Sequence, residues 1–229
     1  MIINICFHGI GRPARELEPD EQAYWIEPGL FDEVLDRFGE RPDVRFSFDD
    51  GNRSDLEYGL TGLLRRDLSA TFFPLAGRLD RPGSLGRDDL RAIGRAGMAI
   101  GSHGMDHQPW RSLDDHELDR ELITARDRLA EVVDRPITQA ALPLGRYDRL
   151  VLGRLRTLGY RRVFSSDRAP ADTGAWLQPR YSVRDTDTIS GLERELFGPR
   201  SLTQRARNRA ATLYKSQRPG IARAATAVH

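Results

Sequence analysis

The chain has 229 residues, of which 39% are hydrophobic, 8% aromatic and 30% charged. This composition is too apolar for a disordered chain, and the length is short for two ordinary domains, so we expect one main domain. The single cysteine, Cys6, excludes an intramolecular disulfide. No apolar run approaches the roughly 18 residues that span a bilayer, and the first residues do not resemble a signal peptide, so we expect a cytoplasmic protein.

Acidic and basic residues nearly balance over the whole chain, but they are unevenly distributed. There are 35 Lys and Arg against 34 Asp and Glu, a net charge of +1. Residues 200–229 hold seven basic residues and no acidic one. We therefore divide the chain into a main domain, residues 1–199, and a basic helical appendage, residues 200–229. The appendage is either a solvated helix or a surface that meets an anionic partner, such as the inner face of a membrane. We expect no nucleic-acid partner.

Short strand-like runs alternate with amphipathic helical segments along the chain. We predict seven strands, at residues 2–7, 44–48, 70–75, 98–101, 139–142, 162–165 and 181–183. Apolar residues at helical spacing predict helices at residues 28–38, 56–68, 88–96, 114–133 and 147–158, and residues 202–216 are helical by propensity. This alternation is typical of βα units with a parallel sheet, either open and doubly wound or closed into a barrel.

Chemically reactive side chains follow several of these predicted strands. His8 follows the first strand, Asp49 and Asp50 follow the second, and His103 and His107 follow the fourth. In both architectures the carboxyl ends of parallel strands meet on one face, where ligands bind. We therefore expect these side chains to lie together.

The residue types in this group indicate a metal site. Two adjacent carboxylates in a partly dry pocket repel each other, and a cation would relieve that repulsion. One carboxylate would then ligate the ion while the other stays free to act as a base. His103 and His107, four residues apart, can share one side of a turn, and with Asp50 they form a common ligand set for a catalytic divalent ion. Read alone, the sequence Asp-Asp-Gly-Asn at residues 49–52 is equally good turn chemistry.

Three segments resemble the motifs of a known family. Residues 46–51, Phe-Ser-Phe-Asp-Asp-Gly, resemble the T/S-F-D-D-G motif of the polysaccharide deacetylases, the NodB-homology carbohydrate esterases. Residues 102–107 resemble the second motif of that family, with two metal-binding histidines four residues apart. Residues 141–145, Ala-Leu-Pro-Leu-Gly, fall where the family carries a proline-containing third motif, here in degenerate form. The resemblance extends over residues 1–185.

The resemblance implies a fold, a cofactor and a reaction. The fold is a distorted (β/α) barrel of about seven parallel strands with the active site at their carboxyl ends. The cofactor is a divalent metal, most commonly zinc, with Asp50, His103 and His107 as its ligands. The reaction is removal of an acetyl group from an N-acetylated sugar in a glycan, glycolipid or nucleotide-sugar intermediate. In it, Asp49 is the base that activates metal-bound water, and the backbone N–H of Leu144 stabilises the oxyanion.

Two elements of the family pattern are missing. The third-motif arginine that orients the base corresponds here to Ala141, and the general-acid histidine has no counterpart. We expect His8 to supply the proton, because the strand it ends would neighbour the strand that carries Asp49. The alternative for His8 is a backbone hydrogen bond at the strand end. Arg180, just before the last strand, is our candidate for the missing guanidinium near Asp49.

Other residues near these motifs are candidates for substrate contact: Trp110, Arg111, Pro143, Tyr147, Asp167 and Arg180. Trp110 either stacks on a sugar or packs in the core. The expected partner is an acetylated sugar or glycan. Two alternative functions stay open, an amide hydrolase acting on a small non-sugar substrate and a catalytically silent module that binds metal or glycan.

Overall fold

The computed structural model of the protein describes residues 1–199 and 214–219. Within them the strands are β1 (Ile3–Phe7), β2 (Gly9–Ile10), β3 (Trp25–Ile26), β4 (Val44–Asp50), β5 (Ala70–Pro74), β6 (Ala99–Ile100), β7 (Gln139–Ala141), β8 (Arg162–Ser165), β9 (Leu177–Pro179) and β10 (Tyr181–Ser182). The α-helices are α1 (Pro28–Phe38), α2 (Thr61–Leu64), α3 (Arg87–Arg95), α4 (Asp115–Asp119), α5 (Ala125–Val133), α6 (Arg149–Thr157) and α7 (Ile189–Phe197).

The strands pair in parallel and form two larger sheets that follow one another in space. One sheet has the order β10-β1-β4-β5-β6 and a second has the order β7-β8-β9. A parallel bridge between Ser102 and Ala140 joins the chain just beyond β6 to β7. Only Arg180 separates β9 from β10, so the last strand connects β8 to β1. The predicted α/β fold with parallel strands is confirmed, and each of the seven predicted strands is present.

Aromatic side chains hold β1, β4 and β5 against α1. Pro28 occupies the first turn of α1, where its missing N–H costs no hydrogen bond. The ring of Phe7 lies edge-on to Phe31 at 5.0 Å and 5.3 Å from Phe48, which stacks on Phe72 at 4.6 Å. Because these rings are all but inaccessible to solvent, they fix the neighbouring carboxyl ends of β1 and β4.

The strand β4 extends two residues beyond its predicted end. Asp49 and Asp50 pair in register with Phe73 and Pro74 of β5, so both acids belong to the strand rather than to the turn after it. Successive side chains of a strand point to opposite faces, and the two carboxylates therefore leave β4 in different directions. The chain then turns sharply, because Asp50 and Gly51 both have positive φ, 73° and 71°.

The helices lie where they were predicted, with two interruptions. The predicted helices at residues 56–68 and 114–133 each contain a π-helical turn, Asp55–Leu60 and Arg120–Thr124. The helix α7, the strand β9 and the pair β2–β3 were not predicted. The helix α7 packs on α1, where Phe197 lies 5.4 Å from Phe38.

Most of the predicted basic appendage lies outside the described residues, and the proposed boundary at residue 200 stays a prediction. Residues 214–217 are helical. Lys215 donates a hydrogen bond to Asp167 at 2.6 Å, and the Arg218 guanidinium donates to the carbonyl of Tyr147 at 2.9 Å. Both described cations of the appendage thus contact the main domain. Among the described residues, no helix has the length and apolarity needed to cross a bilayer.

Candidate metal centre and active site

The structure brings Asp50, His103 and His107 together at the carboxyl ends of the strands. Asp50 Oδ1 lies 3.5 Å from His103 Nε2 and 3.4 Å from His107 Nε2. One ligand atom from each residue lies within 4.8 Å of the other two. Asp50 ends β4, and both histidines follow β6. Strand β5 lies between β4 and β6 and pairs with both. The order of the strands therefore brings Asp50 and His103, which are 53 residues apart in the chain, into contact.

Each imidazole is oriented by a hydrogen bond on its far nitrogen. His103 Nδ1 lies 2.9 Å from the carbonyl oxygen of Ala141, and His107 Nδ1 lies 2.5 Å from Glu18 Oε2. A carbonyl can only accept, so His103 Nδ1 carries the proton and its Nε2 holds a free lone pair. This is the arrangement that fixes the tautomer of a metal-ligating histidine.

The donor set fits a divalent cation. Both carboxylate oxygens of Asp50 are buried and have no hydrogen-bond partner. Buried polar atoms are normally satisfied, so an unpartnered carboxylate facing two imidazole nitrogens calls for a positive ion. Zinc bonds of about 2.0–2.2 Å at tetrahedral angles separate two ligand atoms by roughly 3.3–3.6 Å. The distances from Asp50 Oδ1 to both imidazoles fall within that range.

Asp49 is held by Arg180 rather than by the histidines. The guanidinium donates from Nη1 to Asp49 Oδ1 at 2.7 Å and from Nη2 to Asp49 Oδ2 at 2.6 Å. Nη1 also donates to Ser47 Oγ at 3.1 Å. Asp49 Oδ2 lies 3.9 Å from His103 Nε2, so the paired carboxylate stands next to the donor cluster without belonging to it.

Burial and charge set the ionisation of Asp49 and His103. Burial by itself raises the pKa of Asp49, but the Arg180 guanidinium, followed by His103, lowers it well below its usual value. Burial lowers the pKa of His103 to about 4, against the opposing effect of the two aspartates. Asp49 is therefore ionised at neutral pH and His103 is neutral, the forms that a base and a metal ligand require.

His107 differs from His103 in its surroundings. Burial lowers the pKa of His107, but the charges of Asp50 and Glu18 outweigh that effect and raise it overall. A protonated His107 cannot donate a lone pair from Nε2, so a cation at this site would compete with a proton for His107.

His8 lies beside Asp49, at the end of β1. Its ligand nitrogen, the Asp49 carboxylate and Cys6 Sγ lie within 4.8 Å of one another. The His8 ring lies 4.9 Å from the ring of Tyr24, and Nδ1 is buried without a hydrogen-bond partner. The Nδ1 atom of His8 therefore makes no hydrogen bond to the backbone.

The third-motif loop forms a tight turn after β7. Pro143 is buried, and Leu144 follows it with a positive φ of 54° and a side chain that is 53% exposed. A left-handed backbone is uncommon for leucine and points to a constrained loop. Gly145, which packs on Ser166, also has positive φ, so no side chain could be added there without strain.

Two of the predicted substrate contacts, Trp110 and Tyr147, have buried side chains, which for Trp110 is the core-packing alternative. Trp110 is 1% exposed, and its indole N–H donates to Glu121 Oε2 at 3.2 Å. Tyr147 is fully buried, and its hydroxyl donates to Asp167 Oδ2 at 2.6 Å. Neither ring presents a face on which a sugar could stack; both belong to the core beneath the site.

Arg111 and Asp167 differ in their exposure and in their hydrogen bonds. The Arg111 side chain is about one-third exposed, and its Nε lies 3.9 Å from Asp148 Oδ2 without a hydrogen bond. Asp167 accepts from Tyr147, Ser165 and Lys215. Substrate contact by Arg111, Pro143, Asp167 and Arg180 stays a prediction.

Sequence reasoning missed Glu18 and Glu121. Glu18 lies in a loop 89 residues from His107, and it also pairs with Arg78. Glu121 lies in a helix segment and bonds the loop that carries both histidines. No local motif marks either residue, but Glu121 is a charged residue among the apolar positions of an amphipathic helix, and that was an available signal.

Comparison with known proteins gives a family and a fold. The family model described as "Polysaccharide deacetylase" matches residues 38–163, more than half of the chain. YxkH of Bacillus subtilis (strain 168), whose name places it among the polysaccharide deacetylases, is 21% identical over 148 residues. That match covers 65% of this chain and 53% of the relative, so the chain spans about half the length of its curated relative.

Solved structures of low sequence identity share the fold. The deacetylase PplD of Streptococcus pyogenes, determined with acetate, superposes with a TM-score of 0.71 at 19% identity, covering 85% of this chain and 97% of that one. IcaB from Ammonifex degensii gives a TM-score of 0.68 at 18% identity, over 86% and 96%. A de-N-acetylase from Aggregatibacter actinomycetemcomitans gives 0.72 at 14% identity, over 85% and 99%.

Proposed function

The chain belongs to the polysaccharide deacetylase family, and from that premise we propose that it is a metal-dependent hydrolase that removes an acetyl group from an N-acetylated sugar. One observation carries the proposal. A buried carboxylate without a hydrogen-bond partner, Asp50, faces two imidazole nitrogens, while a second carboxylate, Asp49, stands beside them in a pair with Arg180.

Asp50, His103 and His107 would hold the ion, which we propose to be zinc. A divalent cation there would polarise the acetyl carbonyl and lower the pKa of a water from about 15.7 towards 7. His103 is neutral at neutral pH, whereas the pKa of His107 is raised, so a proton competes more strongly with the ion for that ring. The hydrogen bonds that the two imidazoles donate to the Ala141 carbonyl and to Glu18 keep both rings aimed at the same point.

Asp49 would act as the general base. Arg180 engages both of its oxygens, but a carboxylate offers about four lone-pair directions, so each oxygen can still accept from a water. The pair keeps Asp49 ionised and fixed in orientation. A carboxylate with so low a pKa is a weak base, and its role therefore depends on a water that has been made acidic.

Two further groups complete the chemistry of amide hydrolysis. We propose that the N–H of Leu144, presented by the turn after Pro143, stabilises the oxyanion; removing one such donor typically costs about 3–4 kcal/mol of barrier. His8 would donate the proton that the leaving amine needs, since a nitrogen of its ring lies close to the Asp49 carboxylate and its Nδ1 has no hydrogen-bond partner.

The decisive experiment is acetate release by the zinc-loaded chain from a panel of N-acetylated sugars and small non-sugar amides. Asp49→Asn serves as the blank, because it removes the base but leaves the three proposed ligands in place. Release from the sugars alone supports the proposal. Release from the non-sugar amides alone establishes the amide-hydrolase alternative, and bound metal without turnover on any substrate establishes a silent binding module.

We also propose that the basic appendage brings the enzyme to anionic lipid, where a lipid-linked substrate would lie. The charge of residues 200–229 supports this, although Lys215 and Arg218 are engaged by the main domain. Vesicles containing anionic lipid should bind the full chain, and a chain ending at residue 199 should not bind. Equal binding by both chains would reject this part of the proposal.

A further inference from the structure

Glu121 makes an unusual concentration of hydrogen bonds for a residue in a helix. It is fully buried, and its Oε2 accepts from the backbone N–H of Met105 at 2.7 Å and from the Trp110 indole at 3.2 Å. Its Oε1 accepts from the backbone N–H of Asp106 at 3.2 Å and from the Gln108 side chain at 3.1 Å. All four donors belong to the segment that carries the two proposed histidine ligands.

Gly104 leaves the space that this carboxylate occupies. A Cβ at residue 104 would lie 2.2 Å from Glu121 Oε2 and 2.9 Å from Trp110 Nε1. Gly104 also has a positive φ of 88°, which disfavours any side chain. The segment therefore approaches Glu121 as closely as a backbone can, and only glycine permits the approach.

The histidine segment is itself constrained. His107 has a positive φ of 56°, in the left-handed region that non-glycine residues seldom adopt. Such a conformation persists only where surrounding contacts enforce it. Glu121 supplies those contacts from within the π-helical turn Arg120–Thr124, a helix irregularity often found at functional sites.

We propose that Glu121 is a positioning residue for the metal centre, whose carboxylate holds residues 103–110 in the ligating conformation before any cation binds. The inference rests on the proposed function only in taking His103 and His107 as ligands. A site assembled in advance does not have to order this loop when it binds the ion, so its affinity is higher. Residues that orient metal ligands in this way typically change metal affinity about 10–100-fold when they are replaced.

The first test is the zinc affinity of Glu121→Gln, measured by competition with a chromophoric chelator. Glutamine has the same shape, but whichever way its amide is turned, its NH₂ group faces two of the four donors. We expect the Kd for zinc to weaken about 10–100-fold while circular dichroism shows a folded chain. The control is Val34→Ala, which leaves a cavity in the core between α1 and the sheet and should change the Kd by less than twofold. A Kd for Glu121→Gln within twofold of the unmodified chain would overturn the proposal.

The second test needs no variant and therefore does not depend on Glu121→Gln folding. Amide hydrogen exchange of the zinc-free chain should show protection at Met105 and Asp106, because both N–H groups already bond Glu121. Exchange at both positions as fast as in an exposed loop, with protection appearing only on addition of zinc, would show that the metal orders the loop and would overturn the proposal. Neither readout involves acetate release, so failure of the proposed activity would not be mistaken for failure of this inference.

Discussion

Arg180 and Asp49 are 131 residues apart in the chain and form a doubly hydrogen-bonded pair, with both residues 2% exposed. The strand pairings bring them together. Arg180 lies between β9 and β10, β10 pairs with β1, and β1 pairs with β4, which carries Asp49. The order β10-β1-β4 in the sheet thus places a buried cation beside the proposed base.

Replacing Arg180 by glutamine should shift the acid limb of the pH profile. Without the guanidinium, burial raises the pKa of Asp49, so the base is protonated over a wider acidic range. We expect the acid limb of kcat/KM to move to higher pH by about 1–3 pH units. The profile of acetate release checks this directly.

The same substitution should also destabilise the chain, because a buried charge loses its partner. The expected loss is about 3–5 kcal/mol in the free energy of unfolding, measured by denaturant titration. Arg168→Gln is the matched control, since Arg168 pairs with Glu195 through two similar hydrogen bonds in a half-exposed position. Its pH profile should be unchanged; an identical shift in both variants would contradict the role given to Arg180.

The two adjacent aspartates should separate metal binding from turnover. Asp50→Asn removes a proposed ligand and should weaken zinc binding by at least about 10-fold. Replacing a residue that only orients a ligand already weakens metal binding by about that factor. Asp49→Asn should keep its zinc and lose most of its turnover, since a positioned base contributes about 10²–10⁴-fold. Metal content by mass spectrometry and acetate release are measured on both variants. Loss of zinc from Asp49→Asn, with zinc retained in Asp50→Asn, would reverse the assignment.

Zinc binding should release a proton from His107. Because the pKa of His107 lies above the usual value for histidine, the protonated ring competes with zinc near neutral pH, and affinity should weaken as the pH falls. The pKa of His103, about 4, keeps that ring out of the competition until far lower pH. Calorimetric titrations in buffers of different ionisation enthalpy count the protons released.

Glu18→Gln is the informative partner variant for this experiment. Removing the Glu18 charge lowers the pKa of His107, so proton release should move to lower pH. Proton release that is the same in the unmodified chain and in Glu18→Gln would show that Glu18 does not act on His107.

His8→Ala tests the proposed proton donor. We expect turnover to fall about 10²–10⁴-fold while zinc content is retained, because His8 is not among the three proposed ligands. Tyr24→Phe, which alters the aromatic neighbour of His8 but keeps the imidazole, should stay close to the unmodified chain. Near-normal turnover by a zinc-loaded His8→Ala would remove His8 from the mechanism.

Much of the fold could be predicted because it depends on local patterns. The seven strands were recognised from short apolar runs, and the helix α1 from the spacing of Phe31, Val34, Leu35 and Phe38. The π-helical turns could not be foreseen, since apolar residues such as Leu118, Leu122 and Ala125 keep the three- and four-residue steps of an ordinary α-helix. The pairing of β2 with β3 involves two residues on each strand and carries no periodic signal.

The sequence by itself determined the proposed ligands and base, because Asp49, Asp50, His103 and His107 stand in compact motifs at strand ends. The sequence also offered Arg180 as the guanidinium near Asp49, where the structure places it. Only the tertiary structure decided that Glu18 bonds His107 and that Glu121 lies beneath the ligand loop. It also placed Trp110 and Tyr147 in the core rather than in a substrate wall. The physical reason is that a motif records which residues neighbour one another along the chain, whereas orientation and burial depend on side chains that meet only after the strands have paired.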